Sequence, residues 1–105
     1  MMEGKKFEIG NAVIIKKPNN PDLHRQNNKL SSFFWSDDMD KYNGKYAVIR
    51  EREVWITDDE DYEDYFLSVV EDNKLVKVSY GFSHLWLEKV KPNDKKYSQI
   101  VALVI

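Results

Sequence analysis

The sequence predicts an all-β fold, a small antiparallel barrel of about five strands with almost no helix. Three observations lead to this fold class. Short runs of apolar and β-branched residues recur along the chain, turn residues separate these runs, and no segment has the period of a long amphipathic helix. A chain of 105 residues suits a single domain, in which we expect a barrel core over about 7–90 and an apolar tail over 93–105.

Composition narrows the possible functions. Cysteine is absent, which excludes disulfides and thiolate zinc sites, and the two histidines, His24 and His84, are too few for a three-histidine metal site. No nucleophile motif or glycine-rich phosphate loop occurs, so we expect no enzyme activity, cofactor or metal. The N-terminal segment lacks the apolar core of a signal peptide, and no run of roughly 20 apolar residues is present. We therefore expect a cytoplasmic protein that does not bind membranes.

The net charge of −2 is unevenly distributed along the chain. Residues 1–35 sum to +3, residues 36–64 to −7, and residues 65–105 to +2. A DNA-binding surface needs clustered Lys and Arg, so this balance argues against a nucleic-acid partner.

The first half of the chain is predicted to hold one strand, a loop and a helical turn. Ala12 to Ile15 form the strand, Pro18 ends it, and the segment 18–34 shows neither strand nor helix period and predicts a long loop. Trp35 and Met39 are four residues apart in an acidic segment, which places them on one side of a helical turn that closes the core. Asn43-Gly44 then forms a turn.

The second half is predicted to supply the remaining strands. Residues 45–57 form a strand with a bulge or a projecting section, because the charged run 50–53 interrupts its alternation. The acidic run 58–64 is expected to be a loop. Residues 65–71 and 75–80 form a hairpin around Asp72-Asn73-Lys74, with Val76, Val78 and Tyr80 on one face.

The end of the chain is predicted to add two further strands. Residues 81–84 form a turn in which Ser83 caps a short helical turn, and residues 85–90 form a short strand. The tail ends in six consecutive apolar residues, 100–105. We expect it to be an extra C-terminal strand, either on its own sheet or across a homodimer.

Turn glycines and core aromatics recur in an order that resembles SH3-like barrel proteins. The residues that carry the resemblance are Phe7-x-Ile9-Gly10-Asn-x-Val13, Trp35-x-x-x-Met39-x-x-Tyr42-x-Gly44-Lys45-x-x-x-Ile49 and Tyr80-x-Phe82-Ser83-x-x-Trp86-Leu87-Glu88-x-Val90. The chain is most similar to small bacterial and phage-encoded members, and more remotely to MIB/HERC2 domains. The resemblance covers roughly 7–90 and implies a barrel and a binding role. The acidic insertion and the apolar tail depart from the family pattern.

The best-supported function is a non-catalytic module that binds another protein. Trp35 and Trp86 are expected to fill the core with Met39 and Leu87, although an aromatic groove is the alternative. Trp55 lies among charges at the far end of a strand and is the expected exposed anchor. The long loop and the acidic loop supply the other predicted binding residues, which are His24, Arg25, Asp59, Asp61, Tyr62 and Glu63.

Further functions remain open on the sequence. The acidic loop beside Tyr62 suits a phage or mobile-element inhibitor that imitates a nucleic-acid backbone and occupies a basic groove. Alternating Asp59, Asp61 and Glu63 have the spacing of calcium ligands but lack the glycine and terminal glutamate of an EF-hand loop. The barrel could also bind nucleic acid directly, or serve a structural role in an oligomer. A plain solvated loop explains the acidic run without any function.

Overall fold

The computed structural model of this protein describes residues 7–19, 25–26, 29–30, 35–56 and 61–104, with the backbone alone at 25–26, 29–30, 55 and 61–62. Its elements, in chain order, are β1 (Ala12–Ile15), β2 (Arg25–Gln26), β3 (Lys29–Leu30), a first 3₁₀ helix (Asp37–Tyr42), β4 (Tyr46–Ile56), β5 (Asp61–Glu71), β6 (Lys74–Ser83), a second 3₁₀ helix (His84–Trp86), β7 (Leu87–Lys89) and α1 (Tyr97–Val104).

The strands form one mostly antiparallel sheet. β6, β5, β4, β1 and β7 pair antiparallel in that order, which confirms an all-β fold of about five main strands. Among the described strands β6 and β7 lie at opposite ends of this order without pairing, so the sheet is not closed.

The segment predicted as a long loop contributes two very short strands. β2 and β3 pair with each other, and β3 runs parallel to the first residues of β5. Most of the segment 18–34 lies outside the described residues. The part that is described is tied to the sheet by backbone hydrogen bonds.

Both neighbours of β5 carry extra residues opposite Leu67. In β4, Arg50 is an extra residue between Ile49 and Glu51, as the charged run predicts. In β6, the residues between Lys77 and Gly81 lie opposite Leu67 alone. Extra residues increase local twist and bend a strand, so two bulges at one level favour curvature of the sheet.

The inner face carries the larger core. Its buried residues are Phe7, Val13, Ile15, Trp35, Met39, Ala47, Ile49, Tyr65, Leu67, Val69, Val78, Phe82, Trp86 and Leu87. Trp35 contacts Trp86 edge to face at 5.4 Å between ring centroids. Met39, in the first 3₁₀ helix, is 1% exposed. The predictions that Trp35 and Met39 close the core, and that both tryptophans fill it, are confirmed.

The outer face holds a second, smaller apolar cluster. Ala12, Val48 and Val90 are buried there against Ile100 of α1. Because side chains alternate along a strand, Ala12 and Val48 face outward while Val13 and Ala47 face the main core. The unbroken apolar run of β1 therefore reflects a strand covered on both faces.

The predicted C-terminal strand is wrong, because residues 97–104 form the helix α1. A strand would extend one edge of the sheet, whereas the apolar outer face needs a cover. Tyr97 and Ile100, three residues apart, share one side of the helix and both pack against the outer cluster. A homodimer that forms through the C-terminal tail stays a prediction, but the tail would contribute a helix to it and not a strand.

The hairpin between β5 and β6 is confirmed, with a different extent. Asp72 and Asn73 have φ values of 52° and 61°, the conformation of a two-residue turn whose twist suits antiparallel strands. Val78 is buried, but Val76 is 42% exposed. β6 runs through to Ser83 and the second 3₁₀ helix begins at His84, so the predicted turn over 81–84 is wrong. The Ser83 cap is confirmed by Leu85 N–H donating to Ser83 Oγ at 3.0 Å.

Candidate binding surfaces

The acidic segment enters the sheet instead of forming a loop throughout. β5 begins at Asp61, so the prediction of a loop over 58–64 is wrong from that residue onward. Glu63 is 0% exposed and Asp64 is 2% exposed. Residues 58–60 lie outside the described part of the chain.

A set of hydrogen bonds explains how Glu63 is accommodated. Arg52 Nε of β4 donates to Glu63 Oε2 at 3.1 Å, and the Tyr65 hydroxyl donates to the same oxygen at 2.6 Å. Burial, and then the bond to Glu63, raise the pKa of Tyr65 well above the ordinary tyrosine value. A buried carboxylate is stable when it is paired and hydrogen-bonded, so Glu63 serves the core and presents no surface to a partner.

Four of the seven predicted binding residues are brought together by the backbone. Across β2, β3, β5 and β4, Arg25 lies opposite Leu30, Leu30 opposite Tyr62, and Tyr62 opposite Trp55. Asp61 adjoins this row, opposite Ile56. The predicted contributions of the long loop, Trp55 and the acidic segment therefore meet at one end of the sheet.

Exposed apolar side chains lie on the same strand ends. Ile56 is 77% exposed and Val54 is 37% exposed, whereas Val48 and Ile49 in the first half of β4 are buried. His24 and Asp59, the other two predicted residues, lie outside the described part of the chain. We call the end of the sheet formed by residues 25–26, 29–30, 54–56 and 61–62 the strand-end surface.

A second surface, which the sequence did not predict, is built around Tyr42 and Tyr80. Tyr42 ends the first 3₁₀ helix, and Tyr80 lies in the part of β6 where the register shifts. Their ring centroids are 6.2 Å apart, and Tyr42 also contacts the buried Phe82 at 6.2 Å. Both tyrosines are half-buried. Their inner edges rest on the core and their outer edges meet solvent.

Charged groups surround this tyrosine pair. The Tyr80 hydroxyl donates to Asp38 Oδ2 at 3.3 Å, and Lys41 Nζ lies 5.3 Å from the centroid of the Tyr42 ring. Desolvation, and then the Asp38 carboxylate, raise the pKa of Tyr80. We call Asp37, Asp38, Lys41, Tyr42 and Tyr80 the tyrosine surface. Aromatic rings beside carboxylates can hold cationic and apolar groups of a partner.

The first 3₁₀ helix is anchored from beneath this surface. Trp35 Nε1 donates to Asp40 Oδ1 at 2.7 Å, and Lys17 Nζ lies 3.0 Å from the same oxygen. These contacts, the Trp35 bond first, lower the pKa of Asp40. Ser36 N–H also donates to Met39 Sδ at 3.4 Å. The buried Trp35 and Met39 thus fix the position from which Asp38 and Tyr42 face outward.

The described residues include no group of three or more His, Asp or Glu placed to hold a metal ion. Within this part of the chain, no helix is long and apolar enough to cross a membrane. Comparison with protein-family models, with curated proteins and with solved structures finds no match to this chain.

Proposed function

We propose that this protein is a non-catalytic, SH3-like module that binds an extended segment of another protein. The observation that carries the proposal is the tyrosine surface, a pair of half-buried aromatic rings bordered by Asp37 and Asp38. The double bulge at Leu67 supports the barrel part of the proposal, because barrels curve their sheets by such bulges.

The chemistry of the surface suggests the chemistry of the partner. Tyr42 and Tyr80 offer flat apolar faces, which suit proline and other side chains of an extended peptide. Lys41 already places an ammonium 5.3 Å from the Tyr42 ring centroid, so the ring accepts a cation. Asp37 and Asp38 are exposed and favour Arg or Lys on the partner.

The strand-end surface is the second region through which we propose that a partner is bound. Its backbone row joins Arg25, Tyr62 and Trp55, and Ile56 adds an exposed apolar side chain. This region retains the predicted contributions of the long loop, Trp55 and Asp61. Glu63 is not part of it, because that carboxylate is buried against Arg52 and Tyr65.

The hypothesis of an inhibitor that imitates nucleic acid draws less support. Charge mimicry needs a continuous run of exposed carboxylates, and the burial of Glu63 and Asp64 removes two of them. It predicts binding that weakens steeply with salt, whereas contacts to aromatic rings depend on salt only weakly. Direct nucleic-acid binding would require the basic ends of the chain to form one face.

The proposal is tested by titrating the isotope-labelled chain with a short proline-rich peptide that carries arginine at each end. Its counterpart with glutamate at those positions is the matched control peptide. We expect the arginine peptide to shift the backbone amide signals of 37–42 and 79–82 in nuclear magnetic resonance spectra.

Asp38→Asn should weaken this binding without altering the core, and Tyr80→Ala should weaken it further. Tyr46→Ala, a change at a half-buried tyrosine on the outer face, is the control variant.

The outcomes are distinct. Equal binding of both peptides, or shifts that survive Tyr80→Ala, would remove the tyrosine surface from the proposal. Shifts confined to 54–56 and 61–65 would assign the contact to the strand-end surface. Absence of shifts with either peptide, together with salt-sensitive binding of a basic protein, would favour charge mimicry.

A further inference from the structure

A cavity of about 270 Å³ lies on the outer face of the sheet, between α1 and the β5–β6 turn. It is distant in the fold from the tyrosine surface, because its walls belong to the outer cluster whereas Tyr42 and Tyr80 pack against the inner core. We call it the helix cavity. It arises because α1, a helix of eight residues, covers the outer face mainly through Ile100.

The floor of the helix cavity is apolar. Tyr46, Val70, Ile100 and Leu103 line it. Ile100 is 2% exposed, so it forms a fixed base, while the other three side chains are half-buried. A ligand that fits this floor must carry an apolar body, since small-molecule sites are lined mostly by such groups with a few polar ones for orientation.

The rim of the helix cavity is polar and mainly cationic. Lys45 lies just before β4 and Lys96 just before α1, and Gln99 and Asn73 add amide groups. Asp72 is the single acidic residue of the lining. Lys45 Nζ lies 3.6 Å from Glu71 Oε2, whereas Lys96 forms no ion pair with any residue in the described part of the chain. Lys96 is an exposed residue of the rim, where its ammonium can meet an anionic group of a ligand.

We propose that the helix cavity binds a small organic anion, a carboxylate attached to an aromatic or branched aliphatic body. The apolar body would lie on Tyr46, Val70 and Ile100, and the carboxylate would face Lys96 with Gln99 as a neutral donor. An inorganic anion would leave the apolar floor in contact with water, and a neutral apolar compound would leave Lys96 unused. The volume restricts the ligand to a single ring or short branched chain.

The test uses phenylpropionate as the probe and phenylpropanol as its neutral counterpart, added to the isotope-labelled full chain. Phenylpropionate should shift the amide signals of 70–73 and 99–103 in a saturable manner. Phenylpropanol should bind about tenfold more weakly, because it lacks the charge-assisted contact. Lys96→Glu should weaken phenylpropionate binding by about tenfold or more, since it reverses the charge at the rim.

The matched control variant is Lys95→Glu, which makes the same charge change at an exposed neighbour outside the cavity lining. It should alter phenylpropionate affinity by no more than about twofold, because exposed charges are screened by salt. Lys45→Gln provides a second rim variant and should also weaken binding. The proposal fails if the alcohol binds as well as the acid, if Lys95→Glu weakens binding as much as Lys96→Glu, or if no saturable shift occurs.

Discussion

The Tyr65 hydroxyl donates a 2.6 Å hydrogen bond to Glu63 Oε2, and neither residue has any exposed surface. The two are separated by one residue in β5 and therefore share a face of the sheet. Arg52 donates to the same oxygen, and Phe7 N–H donates to the Tyr65 hydroxyl at 3.3 Å. This chain of bonds links the N-terminal segment to the start of β5 and lets a carboxylate lie within the core.

Removing the Tyr65 hydroxyl should destabilise the fold. Tyr65→Phe keeps the ring, which contacts Phe7 edge to face at 5.4 Å, but takes one donor away from the buried Glu63 carboxylate. We expect a loss of about 1–3 kcal/mol in the free energy of unfolding, measured by urea denaturation. Tyr46→Phe, at a half-buried ring on the outer face, should change it by less than about 0.5 kcal/mol. Equal losses in the two variants would contradict this role for the hydroxyl.

The same bond makes stability depend on alkaline pH. An unfolded tyrosine ionises at about pH 10. The raised pKa of Tyr65 keeps its hydroxyl protonated at that pH in the folded chain. Above that pH the unfolded state binds fewer protons than the folded state, so the free energy of unfolding falls as pH rises. Below it the contribution is fully present.

This dependence is measured as urea midpoints between about pH 8 and pH 11, on either side of the ordinary tyrosine pKa. Tyr65→Phe should show a smaller alkaline decline than the unsubstituted chain. Some decline should remain, because the pKa of Tyr80 is also raised. A decline of the same size in both proteins would show that Tyr65 ionises normally.

The sequence predictions that fail have a common physical cause, which is tertiary contact overriding local pattern. The run 61–64 has the composition of a solvated loop, but in the fold it pairs with β4, and the side chains of Arg52 and Tyr65 bind the Glu63 carboxylate. The tail 100–105 suits a strand by composition, and only the exposed outer face of β1 and β4 makes a helix the better cover. Arg52 is not adjacent in sequence to Glu63, nor is the outer face of β1 and β4 adjacent to α1, so no local period reports these contacts.

What the sequence does predict rests on local geometry. The bulge in β4 follows from its charged interruption, the β5–β6 turn from residues that tolerate positive φ, and the core position of Trp35 and Met39 from their spacing. The tyrosine surface escaped prediction because Tyr42 and Tyr80 are far apart in sequence and meet only in the tertiary fold. The alternation predicted for 75–80 already placed Tyr80 on the face of the buried Val78, but no local signal places Tyr42 beside it.

Arg50 should stabilise the double bulge through its side chain. Val78 is one of the β6 residues that lie opposite Leu67 alone. Arg50 Nη2 donates a hydrogen bond to the Val78 carbonyl at 3.1 Å. Arg50→Met removes that donor while keeping much of the stem, and we expect a loss of about 1–3 kcal/mol in the free energy of unfolding.

Glu51→Gln is the matched control for Arg50→Met. Glu51 forms a 3.7 Å ion pair with Arg50, but its carboxylate is mostly exposed, so its replacement should cost less than about 0.5 kcal/mol. Urea denaturation of both variants separates the two roles of Arg50. If Glu51→Gln costs as much as Arg50→Met, the ion pair, and not the bond to Val78, stabilises the double bulge.

Ile100 should be the main contact that holds α1 on the sheet, with the half-buried Tyr97 packing beside it. It is the one residue of this helix that is buried in the outer cluster, where it meets Ala12, Val48 and Val90. Ile100→Ala should lower the free energy of unfolding by about 2–5 kcal/mol, because it deletes buried methyl groups and enlarges a face that already borders a cavity. Val104→Ala, at a side chain that is 47% exposed on the same helix, should cost less than about 0.5 kcal/mol.

Hydrogen exchange separates local from global effects. The amides of 100–104 should lose protection in Ile100→Ala, while those of β5 should retain theirs. Unchanged protection of 100–104 in that variant would mean that other contacts hold the helix in place.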